Sequence, residues 1–137
     1  MKYLFILTAT FFLTANIADA QVSKNNIVGT WRLVSQKGIY GGNPISSDSS
    51  KIYQVKVITP NKFMFTVYDK DTDTLSMSAQ GSVYVNGHTY KETITHATSK
   101  DMIGRSFTYS SSVAGNKWRI KGGAKDLELE ETWVKIK

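Results

Sequence analysis

The sequence predicts an all-β domain: about eight antiparallel strands in up-and-down order, closed into a barrel or folded as a sandwich. Three observations carry this prediction. Short runs rich in Val, Ile, Thr, Tyr, Phe and Trp follow one another along the chain, with no convincing helical segment between them. Several runs alternate with period two, so that one face is buried and the other is wet. The breaks between runs have hairpin length and carry turn residues, which makes neighbouring strands antiparallel.

The elements are justified in chain order. Lys2, the apolar run Leu4 to Leu13 and the small residues of Ala18-Asp19-Ala20 form the three parts of a secretory signal, placing a signal peptide over residues 1–20 with cleavage before Gln21. The apolar run is shorter than the roughly 20 residues that cross a bilayer, and no second one follows, so no membrane span is expected. Removing 20 of the 137 residues leaves 117, enough for one domain over residues 21–137 with a single core. Strands are expected at Val28 to Gln36, Lys51 to Ile58, Lys62 to Tyr68, Ser76 to Val85, His88 to His96, Ile103 to Ser111, Lys117 to Gly122 and Glu128 to Ile136. Pro60-Asn61, Asn86-Gly87, Gly115-Asn116 and Gly122-Gly123 mark turns. Gly38 to Ser50, rich in Gly, Ser and Asn, reads as a loop or lid near the mouth, and Asp69 to Thr74 as a charged turn.

Alternation assigns faces. Tyr53, Val55 and Val57 share one face, opposite Gln54 and Lys56; Phe63, Phe65 and Val67 share another; Leu129, Glu131, Trp133 and Lys135 lie together on the last strand.

Charge and cysteine content exclude several functions. The net charge of +6 survives cleavage, because Lys2 and Asp19 leave together. Lys and Arg are scattered, with no run resembling a nucleic-acid arm, so nucleic acid is not the expected partner. The absence of Cys excludes disulfides, thiol catalysis, thiolate metal sites and a lipid-modified N-terminal cysteine. A soluble protein, secreted or periplasmic, is the expectation.

Gly29-Thr30-Trp31 opens the first strand after the signal. The longer pattern runs through Arg32-Leu33, Lys62-Phe63-Met64-Phe65, Tyr68-Asp69, Gly81-Ser82-Val83-Tyr84, Tyr90-Lys91-Glu92-Thr93-Ile94, Gly104-Arg105-Ser106-Phe107 and Lys117-Trp118 to Glu131-Thr132-Trp133-Val134-Lys135. This order resembles the small lipocalin-like, calycin-type β-barrels exported by Bacteroidetes-type bacteria, a family of unknown function. The resemblance implies a closed barrel in which Gly29 lets the chain bend into the first strand, Trp31 plugs the closed end, and a basic side chain from the last strand packs over it. Lys135, next but one to Trp133, matches that position, where the family usually has Arg. The resemblance brings no catalytic residues.

Chemistry-bearing residues are few. His88, Tyr90, Glu92, Ile94 and His96 share strand parity; if they face inward, they place a phenol, a carboxylate and an imidazole on one wall, with Glu131 adding a second carboxylate. Buried groups of this kind need hydrogen bonds, water or a ligand. An internal network, with Glu92 bonded to a Tyr or to Lys135, is the alternative to a polar patch in a cavity. His88 and His96 are about 26 Å apart along one strand, too far to share an ion, and no cofactor or metal motif is present. Asp69, Asp71 and Asp73 alternate as in a calcium loop, but Thr74 and Gln80 stand where such a loop requires Gly and Glu. No serine lies in a nucleophile elbow, and the Gly-Gly pairs lack a following helix.

The expected function is therefore an exported binding protein holding a small hydrophobic or amphipathic molecule, with Tyr53, Phe65, Tyr90, Glu92, His96, Phe107, Trp118 and Glu131 as candidate contacts. The alternatives are an interaction domain with a filled core and an enzyme using Glu92 or His96 as acid–base groups.

Overall fold

The computed structural model describes residues 20–137 apart from 22 and 48, so the predicted signal segment lies almost wholly outside the described residues. Short β1 (Ala20–Gln21) and one helical turn, α1 (Lys24–Ile27), precede nine further strands: β2 (Gly29–Tyr40), β3 (Asn43–Ser47), β4 (Ile52–Ile58), β5 (Lys62–Asp69), β6 (Thr74–Asn86), β7 (Thr89–Ala97), β8 (Ser106–Ala114), β9 (Lys117–Ala124) and β10 (Leu127–Lys135). Eight of them form an antiparallel up-and-down barrel. Each pairs with its successor, apart from β3; β10 returns to β2, and β8–β9 pairing completes the circuit. No helix among the described residues is long and apolar enough to cross a membrane.

Two connections differ from the sequence expectation. Gly38 to Ser50 is mainly a hairpin: β2 continues to Tyr40, Gly41-Gly42 turn the chain, and β3 pairs back from Asn43 against Tyr40 to Ser47 against Gln36. Gly41 and Gly42 both have positive φ, the backbone that a two-residue hairpin turn demands. Gly122-Gly123 lie inside β9 rather than in a turn, and the chain reverses after Ala124. A Cβ on either would collide with a carbonyl of the adjacent strand, Thr108 or Leu127 respectively, so glycine there permits close approach on both sides.

The barrel has a filled end. Trp31, Trp118, Trp133 and Tyr90 are fully buried, with Ile27, Ile58 and Phe63 around them. Trp118 lies at the centre of this cluster: its ring is 5.4 Å from Trp31, 5.0 Å from Tyr90 and 6.3 Å from Trp133. α1 closes this end, with the Ile27 carbonyl accepting the Trp31 indole N–H at 2.8 Å. Lys135 stands over the Trp31 ring with Nζ 5.2 Å from its centre. This is the packing implied by the Gly-x-Trp resemblance.

Three bulges set which residues face inward. Trp133 pairs with Leu33 but Thr132 with Ser35, so Val34 is an extra residue and Gln36, not Ser35, turns to the interior. A second shift lies between Val67 and Tyr68, opposite Ser76. The third falls in β7: Gly81 pairs with Ile94 and Gln80 with His96, leaving Thr95 extra.

Candidate functional site

Tyr90, Glu92 and Ile94 point inward from β7 and are buried. The bulge at Thr95 then reverses parity, so His96 is exposed on the outer wall, where its Nδ1 meets the Thr95 hydroxyl at 3.0 Å. His96 therefore does not join the interior polar wall, and no acid–base pair with Glu92 is assembled. His88 sits at the hairpin, its Nδ1 3.2 Å from the Ser111 carbonyl oxygen.

Strand β4 has the opposite face inward from the one its apolar residues suggest. Gln54, Lys56 and Ile58 are buried, while Tyr53 lies outside, 37% exposed, opposite Tyr68. Tyr53 is therefore not an interior contact. The reason lies 36 residues further on. Lys56 Nζ donates to Glu92 Oε1 at 2.6 Å, and both side chains are almost completely buried. The Tyr90 hydroxyl donates to the same oxygen at 2.7 Å. The ammonium also faces three rings, with Nζ 4.8 Å from the Trp133 centroid, 5.6 Å from Trp118 and 5.9 Å from Tyr90. The cation that meets Glu92 is thus Lys56, and Lys135 serves Trp31 instead.

Glu131 projects inward from β10. Its Oε2 accepts the Trp133 indole N–H at 2.9 Å and its Oε1 accepts Gln36 Nε2 at 2.6 Å. The Ser47 hydroxyl donates to Gln36 Oε1, tying the β3 hairpin to this network. Ser111, buried on β8, accepts the Trp118 indole N–H at 2.8 Å. No buried side-chain polar atom among the described residues lacks a partner. Burial raises the phenol pKa of both Tyr90 and Tyr109 well above the usual value, and the nearby Glu92 charge adds to the effect. Both phenols therefore stay protonated at neutral pH.

Above the tryptophan cluster the barrel is not filled. A cavity of about 250 Å³ opens there. Its apolar wall includes Ile45, Phe65, Met77, Phe107, Leu127 and Leu129; Gln36, Gln54 and Glu131 supply polar groups, and Lys56 and Glu92 border it. Four predicted contacts line this space: Phe65, Glu92, Phe107 and Glu131. Tyr90 and Trp118 belong to the packed cluster beneath it. A larger depression of about 550 Å³ lies outside the wall over β4 to β7, among outward side chains such as Val57, Met64, Gln80 and His96. It has no buried polar group to orient a ligand.

Sequence reasoning missed Lys56, Gln36, Gln54 and Ser47. For Lys56 a signal existed: an inward Glu92 requires a partner, and Gln54-Lys56-Ile58 share a parity. For Gln36 and Ser47 it was the Gly41-Gly42 pair between Ile39-Tyr40 and Pro44-Ile45, a two-residue hairpin in its own right. At Asp69, the carboxylate accepts the backbone N–H groups of Asp71 and Thr72, both at 2.9 Å, and the bond from Thr72 leads in lowering its pKa. The alternating aspartates thus shape a turn, and no cluster of three metal-ligating side chains occurs among the described residues. Compared with known proteins, the sequence matches no family model and no curated relative.

Proposed function

We propose that this chain is a lipocalin-like binding protein, exported after cleavage near Ala20, whose barrel holds a small amphipathic molecule at the open end. The observation that carries the reading is the cavity of about 250 Å³ beside the Gln36–Glu131 pair, above an end that is filled. Ligand pockets combine apolar walls with a few convergent polar groups, and this space has both. Its size limits the occupant: an apolar cavity of about 150 Å³ accepts benzene, so about 250 Å³ suits one ring with a short chain.

The methionines give a direct test. Met77 and Met102 border the cavity, whereas Met64 lies on the outer wall. Titration with 2-phenylethanol is expected to shift the methyl resonances of Met77 and Met102 and leave Met64 in place. Leu129→Trp, which fills the space, is expected to abolish the shifts. Met77 and Met102 signals that stay unmoved with millimolar 2-phenylethanol and with its amine and carboxylate counterparts would overturn the proposal.

A further inference from the structure

The cavity has a charge imbalance that its own wall does not correct. Three acidic or basic side chains border it from the barrel interior: Lys56, Glu92 and Glu131. Lys56 is committed to Glu92 at 2.6 Å. The ion pairs found among the described residues are Lys56–Glu92, Lys37–Glu130 and Arg105–Asp126, and Glu131 is in none of them. Its two bonds come from neutral donors, the Gln36 amide and the Trp133 indole. The remaining titratable side chain that lines the cavity, Tyr109, and Tyr90 beneath it are protonated phenols and add no positive charge.

A buried carboxylate with only neutral partners is costly, and a cation beside it offsets that cost. A carboxylate offers about four lone-pair positions, and the two protein donors occupy two of them. Glu131 borders the cavity, so the other positions are the ones a donor inside the cavity would use. An anionic ligand would meet Glu131 with like charge, while Lys56 is already held by Glu92. The interior thus selects against the sign that the chain's net charge of +6 would attract.

We propose that the occupant is a small organic cation: a protonated amine on a single apolar ring or chain, its nitrogen paired with Glu131 and its body against Phe65, Phe107 and Leu129. This rests on the binding reading above and names the ligand class for that cavity.

Three probes of nearly equal shape test it: 2-phenylethylamine, 2-phenylethanol and 3-phenylpropionate, each titrated calorimetrically against the protein at pH 7 and moderate salt. The amine is expected to bind about tenfold more tightly than the alcohol, the scale of one charge-assisted hydrogen bond, with the acid weakest. Glu131→Gln should bring amine and alcohol to within about twofold of each other. Gln36→Met leaves the carboxylate in place and removes a competing neutral donor, so it should widen the amine preference; it also keeps the test decisive if Glu131→Gln does not fold. Equal binding of amine and alcohol, or a preference that persists in Glu131→Gln, overturns the cation assignment while the cavity reading stands. Binding of none of the three at millimolar concentration overturns both.

Discussion

At the closed end of the barrel, three tryptophans and Tyr90 occupy the interior, and each indole N–H has an acceptor supplied by the protein: the Ile27 carbonyl, the Ser111 hydroxyl and the Glu131 carboxylate. At the open end, side chains of similar polarity stand around a space of about 250 Å³. Both ends carry buried polar groups, but only the closed end surrounds them with close-packed rings. Large rings on β2, β7, β9 and β10 pack on one another there, whereas Ile45, Met77, Leu127 and Leu129 join Phe65 and Phe107 around the open space. The difference separates packed interior from open space. The closed end carries the packing energy, and the open end keeps a cavity whose polar wall groups are held by neighbouring side chains.

Truncations at the two ends test this division most strongly. Lys56 sits where the regions meet, and Lys56→Met leaves Glu92 buried without its cation, so a loss of about 3–5 kcal/mol is expected. Trp31→Ala removes the plug at the closed end and should also cost about 3–5 kcal/mol. Leu129→Ala enlarges a space that already exists and should cost about 2 kcal/mol, the lower limit for such a change. Denaturant melts of the three variants give the order directly. A Leu129→Ala loss equal to that of Trp31→Ala would show that the open end is as tightly packed as the closed one.

How much of this was legible in the sequence depended on the strand. Phe63, Phe65 and Val67 face inward as their alternation indicates, because β5 keeps an unbroken period over those residues. The same holds for Leu129, Glu131 and Trp133 on β10, and for Tyr90 and Glu92 on β7. His96 was misassigned because one bulge residue, Thr95, reverses parity without changing composition. Strand β4 was misassigned for a different reason. Tyr53, Val55 and Val57 are good residues for the outer face of a sheet as well as for a core, so their apolar character does not fix the direction. What fixes it is the Lys56–Glu92 pair, a contact across 36 residues that local alternation cannot reveal. The polar site was legible as a pair of carboxylates, Glu92 and Glu131; their division into a paired one and one held by neutral donors was not.

Alkaline titration sharpens the comparison at the boundary. Tyr90 belongs to the filled cluster and Tyr109 borders the cavity, their ring centres 6.1 Å apart. Burial raises both phenol pKa values, and the Glu92 charge raises them further. In the folded state these groups hold their protons to higher pH than in the unfolded chain, where a tyrosine titrates near about 10. The stability they contribute is present below that pH and is lost as the pH rises from there toward the folded-state pKa values. Thermal melts are expected to show a fall beginning near pH 10, and Tyr109→Phe should make that fall shallower. An identical fall in Tyr109→Phe and the parent would mean that Tyr109 is open to water through the cavity.

The smallest expected effect concerns Lys135, at the outer limit of the closed end. Its Nζ stands 5.2 Å from the centre of the Trp31 ring, and Gly29 makes room for it. Gly29 has φ of 142°, and a Cβ there would lie 2.5 Å from the Lys137 carbonyl oxygen and 2.7 Å from Lys135 Cε. The glycine and the lysine are therefore one arrangement: the first residue of the Gly-x-Trp segment lacks a side chain so that the last strand can cover the third. Lys135→Met keeps most of the apolar stem and removes the charge, so it isolates the attraction between ammonium and ring; about 0.5–1 kcal/mol should be lost. Lys135→Arg places a planar cation over the indole, where stacking is better than for an ammonium, and should restore or slightly raise the stability. If Lys135→Met melts with the parent, the lysine contributes only its aliphatic stem, and Trp31 is held by ring packing and its bond to the Ile27 carbonyl.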